Sequence, residues 1–319
     1  VVLGYGVMLV WDVLLLHRYF PQSRKHPWLF LQWVDQFLPL ALTGLLTTIG
    51  LFAHLVITWC GPLGIKVKGL FYGAPYYDVP AMLAFLTILI TTVNFVVSVE
   101  VNFYPTYRSY YSLLNDGGTV KDITVAENEM LAVLNRELHY TALKQLLVTA
   151  AVISLEKTVL NALPLGFSDV MHGYFRVLCG YALYAVGNTV MLILLYFTDY
   201  SGALTASALF AGSTVVFTVI GQFFTTSLFG FGFLMGASLF AIYATFRLAS
   251  YTDNLPYRVL GQQPIVAQTK RGRFTELGIL LEHGEQRVDQ SLHRSGHARS
   301  SDKANIAETD VIIGRNRKS

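Results

Sequence analysis

Between Ala81 and Val99 the chain runs 19 residues without a charged side chain, bounded by Pro80 and Glu100. At ~1.5 Å per residue such a helix nearly crosses a hydrocarbon core of ~30 Å, and Glu100 to Phe103 complete the crossing. Aromatic residues crowd both ends: Phe71, Tyr72, Tyr76 and Tyr77 before the run, Phe103, Tyr104, Tyr107, Tyr110 and Tyr111 after it. Amphipathic rings collect where hydrocarbon meets headgroups. Within the run Thr87, Thr91, Asn94, Ser98 and Asn102 recur at spacings of 4, 3, 4 and 4, so they share one helical face. A spanning helix turns such a stripe toward other helices or a wet cavity, not toward lipid.

The same pattern repeats along the chain. Spans are expected at Val1–Leu16 (truncated), Gln36–Cys60, Ala81–Phe103, Ala142–Leu163, Val177–Phe197, Leu204–Ser227 and Phe229–Leu248. Apolar residues make up 53% of the chain and charged ones 13%, where a soluble domain carries about a quarter charged. The first residues are apolar without the basic start of a signal peptide, so the chain is expected to begin inside a membrane helix of a longer protein. Lys and Arg gather in the loop 17–35, the loop 104–141 and the tail, which alternation places together on the cytoplasmic side. Within 104–141, Ala126–Lys144 carries Met130, Leu131, Leu134 and Leu138 among charges and is expected to lie along the membrane face. The tail 251–319 is polar, with one apolar patch at Leu277–Leu281, and is expected to be largely disordered. The net charge of +3 sits mostly in that tail, which gives a nucleic-acid partner little support.

Several residues stand out chemically. The span Gln36–Cys60 has a stripe of its own, Thr43, Thr47, Gly50, His54 and Thr58. Together the stripes offer Thr47, His54, Thr87, Thr91 and Asn94 as candidates to line a hydrated path, although Thr and Gly at these spacings also serve as helix–helix glue. Glu156 and Lys157 lie about two turns from a helix end at Pro164, and a charge at that depth normally has a partner. Neighbours on a helix diverge by ~100°, so Arg176 is the better partner for Glu156, as a coupling carboxylate or an interfacial pair. Glu100 reads as an interface charge awaiting a Lys or Arg. Ser207, Ala211, Thr214, Thr218, Gly221 and Thr225, with Gly232 and Gly236, read as a close-packing face. Cys60 and Cys179 have no paired spacing and read as packing residues; His293 and His297 lack carboxylate support for a metal. No phosphate-binding glycine loop or nucleophile motif is present, so neither cofactor nor catalytic residue is expected.

One family shares these features. Gly69-Leu70-Phe71-Tyr72, then Tyr77-Asp78-Val79-Pro80, then Leu83-Ala84-Phe85-Leu86 resembles the approach to a membrane helix in the PelG family of Pel exopolysaccharide transporters. So does the series Glu100, Phe103, Tyr107, Tyr110-Tyr111, Gly117-Gly118 and Ile123, and later Tyr251, Leu255-Pro256-Tyr257 and Gln263-Pro264. The resemblance covers roughly residues 60–265; it departs at Val101, where the family has Thr, and in a tail longer than usual. It implies an all-α polytopic membrane protein of the multidrug/oligosaccharidyl-lipid/polysaccharide (MOP) superfamily, built as two six-helix lobes around a central cavity. The chain would then hold the last helix of the first lobe (1–16), a cytoplasmic linker (17–35) and the six-helix C-terminal lobe (36–250). The resemblance further implies export of a partly cationic amino-sugar polymer across the bacterial inner membrane for biofilm matrix. The partners it implies are a cytoplasmic glycosyltransferase and a cyclic-di-GMP-sensing membrane protein. Two rival readings come from other classes: a non-transporting scaffold that anchors a synthase complex through 104–141, and a polytopic glycosyltransferase. The second would need an acidic pair on a sizeable soluble loop, and 104–141 has no D-x-D.

Overall fold

A computed structural model describes residues 2–19, 28, 30–69, 71–162, 166–224, 229–262 and 272–282. Val1, Leu163, Pro164, Thr225, Ser227, Gln263, Pro264, His293 and His297 lie outside the described residues. By contact the chain divides into two units, Val1–Leu38 with Val266–Ser319, and Pro39–Ile265.

The first unit contains α1 (Val2–Tyr19), an apolar helix with exposed Val7, Leu9, Trp11 and Leu14, and the opening turns of α2 (Phe30–Trp59). α2 starts six residues ahead of the expected Gln36 and is not straight. Pro39 removes one backbone donor and crowds the preceding turn, and Phe37 leaves helical geometry at φ −112°, ψ 22°. The unit also holds a helix over 273–282, in a tail expected to be disordered.

In the second unit α2 leads into a small antiparallel hairpin, β1 (Ile65–Lys68) and β2 (Phe71–Gly73), turned at Gly69 with φ +62°. α3 (Pro75–Leu86), α4 (Leu89–Val97), a π-helical turn (Ser98–Phe103) and α5 (Tyr104–Asp116) then form one helical rod of 42 residues. Gly117 stops it in a left-handed conformation, φ 89°, and the Gly118 N–H closes back on the Leu113 carbonyl at 2.7 Å. α6 (Val120–Ala162) follows as one helix of 43 residues.

The stretch 104–141 is therefore not a loop with a helix lying on the membrane. It is a helical hairpin, continuous with the spans on either side. Of the apolar face expected to meet lipid, Met130 and Leu134 are buried and Leu131 and Leu138 half-buried, and Ala126 is buried with them, where α6 packs on α5 and its buried Tyr110. At ~65 Å, α6 is about twice as long as a hydrocarbon core is thick, so its charged half extends past the bilayer.

α7 (Asp169–Leu178) and α8 (Tyr181–Tyr196) are separated only by a break at Cys179–Gly180, and α9 (Tyr200–Gln222), α10 (Phe231–Thr252) and α11 (Leu255–Gln262) complete the unit. Phe210 stacks on Tyr184 at 5.4 Å and on Phe240 at 4.9 Å, and a Cβ on Gly187 would fall 2.7 Å from Phe240. α9 and α10 meet through the small-residue face read from the sequence. A Cβ on Gly236 would lie 2.1 Å from Thr214 Oγ1, and one on Gly232 2.5 Å from the Thr218 nitrogen.

Among the described residues six helices are long and apolar enough to cross a membrane. Their outer faces expose Leu45, Phe52, Met82, Ile90, Leu147 and Ile242, among many others. So much apolar surface would be untenable in water and is ordinary in lipid. The chain is an all-α polytopic membrane protein.

Candidate functional site

The α4 stripe meets a second polar stripe on α6. Thr91 Oγ1 donates to Gln145 Oε1, whose Nε2 donates onward to Thr149 Oγ1 at 3.1 Å. One turn along, Asn94 Nδ2 donates to Thr141 Oγ1 at 3.0 Å, and Lys144 Nζ donates to Asn94 Oδ1 at 2.7 Å. At the π turn Ser98 Oγ donates to Glu137 Oε2 at 2.8 Å, beside Arg136 at 3.4 Å from Oε1. Glu137, Thr141, Gln145 and Thr149 are spaced by four, so one face of α6 presents a matching row. Thr87 stands apart: its hydroxyl donates to the Ala84 carbonyl at the break between α3 and α4.

Thr141 also borders a cavity of about 360 Å³ between α6, α8 and α10. Leu134, Leu138 and Val190 form its apolar wall, and His139, Thr189 and Asp253 are among its polar groups. Apolar walls with a few placed donors and acceptors suit a ligand that is part ring face and part hydroxyl.

Further along α6, Glu156 is 4% exposed and accepts from Arg176 Nε at 2.6 Å. His172 Nδ1 stands 3.7 Å from the same carboxylate oxygen, and His172 Nε2 meets Asn161 Oδ1 at 3.2 Å. Glu156 and Arg176 are thus brought together, as the sequence suggests. Lys157 and Glu100 are not: both are exposed and make no ion pair among the described residues.

The α2 stripe lies elsewhere. Thr47 Oγ1 donates to the Thr43 carbonyl at 2.8 Å and lies 3.3 Å from Ser207 Oγ on α9. His54 is fully buried, its Nδ1 2.8 Å from Tyr77 OH and its Nε2 2.9 Å from Tyr181 OH. A Cβ on Gly50 would strike Phe210 at 2.4 Å. The face is filled by α3, α8 and α9, the packing role that Thr and Gly at these spacings equally allow. The two stripes do not face a common space. Cys179 is buried, but Cys60 is exposed, not packed.

A further buried pair has no counterpart in the sequence reading. Asp199 caps α9 by accepting from the Gly202 N–H at 3.1 Å, and Arg247 of α10 donates to both its oxygens, at 2.6 and 2.9 Å. Burial pushes the Asp199 carboxyl up, but the bonds from Arg247, Gly202 and Ser201 prevail and hold it below the usual carboxylate value. Arg247 is a charge inside an otherwise apolar helix, and that was the available signal.

Compared with known proteins, residues 1–260 match the model of the PelG family, described by an exopolysaccharide-export role (EPS-E). No curated protein and no solved structure matches the chain.

Proposed function

The chain belongs to the PelG family of exopolysaccharide exporters, and from that premise we propose that it forms one lobe of a two-lobe, MOP-type transporter. On this reading the lobe sits in a bacterial inner membrane with its C-terminus cytoplasmic. Its cargo is a partly cationic amino-sugar polymer of the Pel type, or an intermediate of it, destined for biofilm matrix. A cytoplasmic glycosyltransferase and a cyclic-di-GMP-sensing membrane protein hand over and regulate that cargo.

The observation that carries the reading is the polar seam between α4 and α6, opening at Thr141 onto the cavity, in a chain whose family exports polysaccharide. A spanning pair has no need of Asn94, Lys144, Gln145 and Glu137 for packing alone; such side chains are costly in lipid and gather where something polar passes. Thr91 and Asn94 are the pathway residues the seam supports, and Thr141, Gln145 and Glu137 join them. Glu156, held by Arg176 of α7 beyond the seam, is the coupling carboxylate this reading assigns. The projecting hairpin of α5 and α6 also suits the rival scaffold role, as a docking surface outside the lipid.

Export assays separate transport from structure. Glu156→Gln is expected to abolish polymer export at unchanged membrane abundance, and Glu156→Asp to retain part of it. Adding Arg176→Gln should not restore export. If that double change recovers export and abundance together, Glu156 is a structural partner only and the transport role assigned to it fails.

A further inference from the structure

Where α2 ends, the β hairpin folds back and leaves an open hollow of about 560 Å³, lined by Val56, Trp59, Cys60, Gly64, Phe71 and Tyr72. A Cβ on Gly64 would collide with the Trp59 carbonyl oxygen, so only a glycine lets the chain turn back this close to the helix end. Asp78 of α3 fixes one wall. Its carboxylate accepts from Trp59 Nε1 at 2.9 and 3.0 Å and from the Ala74 N–H at 2.8 Å, which holds the indole in place and occupies the acid. The other two rings, Phe71 and Tyr72, are exposed.

Two features point to what the hollow holds. The first is apolar continuity. Ile49, Phe52 and Val56 are spaced by 3 and 4 residues, so they form one exposed strip of α2, and that strip runs into the hollow at Val56. On a spanning helix such a strip meets lipid tails, and an acyl chain lying along it brings its headgroup to the hairpin. The second feature is charge. Lys66 is the register partner of Tyr72 and Lys68 of Phe71, with a bulge between them, so each lysine lies across from a ring that lines the hollow. Both lysines are exposed, and neither makes an ion pair among the described residues. Asp78 does not neutralise them, being turned to Trp59 and Ala74 instead. Two free ammonium groups at the end of an apolar track match a lipid whose phosphate carries no cation of its own.

We propose that this hollow is a binding site for one anionic phospholipid. Lys66 and Lys68 hold the phosphate, the glycerol lies among Trp59, Phe71 and Tyr72 at headgroup level, and one acyl chain follows Val56, Phe52 and Ile49. A zwitterionic lipid carries an ammonium beside its phosphate and gains less from the two lysines. The site stands whether or not the protein exports polymer.

Trp59 is the probe for the test, because it lines the hollow. Trp11→Phe, Trp28→Phe and Trp33→Phe leave it as the last of the chain's four tryptophans. The protein is reconstituted in phosphatidylcholine vesicles, and phosphatidylglycerol or phosphatidylcholine with brominated acyl chains is titrated in. Bromine quenches an indole on contact, so half-quenching mole fractions give the relative affinity at Trp59. Phosphatidylglycerol should be favoured at least threefold. Lys66→Gln with Lys68→Gln should bring the two lipids to parity, whereas Lys157→Gln, an exposed lysine on α6 outside the hollow, should leave the preference unchanged. Excess inorganic phosphate should not relieve the quenching. Equal quenching by both lipids in the protein with its lysines intact overturns the site. So does a preference that survives loss of both lysines, or one that Lys157→Gln removes as well. Relief by inorganic phosphate would assign the hollow to a free anion and overturn the lipid.

Discussion

Removing either partner of the Glu156–Arg176 pair should not have equal consequences. Glu156 is 4% exposed at its side chain and Arg176 49%. Arg176→Gln leaves a carboxylate enclosed by protein with only His172 nearby, and stranding one member of a buried pair costs ~3–5 kcal/mol. Glu156→Gln leaves a guanidinium that already reaches solvent or headgroups and can keep a neutral acceptor. The loss is then that of one charge-assisted hydrogen bond, ~1.5–3 kcal/mol at most. The double change removes the stranded charge and should return close to the Glu156→Gln value. Reversible unfolding in mixed detergent micelles would measure all three, and the expected order of stability is wild type, Glu156→Gln alongside the double variant, then Arg176→Gln well below. If Glu156→Gln costs as much as Arg176→Gln, or if the double variant is no better than Arg176→Gln, the argument from unequal burial is wrong.

Topology gives a second expectation: a cysteine at Ser112, in the α5–α6 hairpin, should be labelled only from the cytoplasm, and one at Gly73, in the β hairpin, only from outside. Labelling of both from one side would contradict the helix count. Gly236→Ala should destabilise by ~1–3 kcal/mol through its clash with Thr214, whereas Gly212→Ala, with open space around its Cβ, should be neutral or gain up to ~1 kcal/mol. The Asp199 carboxyl, depressed in the folded protein, adds stability that is complete above its unfolded value near 4 and disappears as pH falls through the folded value. The stability gap between wild type and Asp199→Asn should therefore close as pH is lowered below about 4, which an unfolding series across pH would show.

What could be read from the sequence follows from how far apart the interacting residues lie. Glu156 and Arg176 are 20 residues apart across one short connection, and a charge deep in an apolar run demands a partner nearby. The α4 stripe was legible from its period alone, but its occupant was not. Splitting the next segment between Thr141 and Ala142 cut the answering row in two, placing Glu137 and Thr141 in a loop and Gln145 and Thr149 in a span. The stripe on α2 shows the converse limit. Period identifies a buried face without revealing what fills it, and here Phe210, Tyr77 and Tyr181 fill it. Asp199 meets Arg247 across 48 residues and Asp35 meets Thr275 across 240, distances over which pattern carries no information.

The π turn can be understood from the spacing of the stripe it interrupts. Thr91 to Asn102 covers 11 residues in three steps, or about 3.7 per step, so on a regular α-helix the last position would drift by ~20° from the first. A stretch with more residues per turn takes up that excess, and the wider turn at Ser98–Phe103 lies where the drift has accumulated. It brings Asn102 back toward α6, where Glu137 accepts hydrogen bonds from both Ser98 and Asn102. The irregular backbone thus keeps the polar row in register with α6 to the end of the span. Glu137, 13% exposed at its side chain, thereby keeps both donors, and a partly buried carboxylate left short of one costs more than a local change of helical winding.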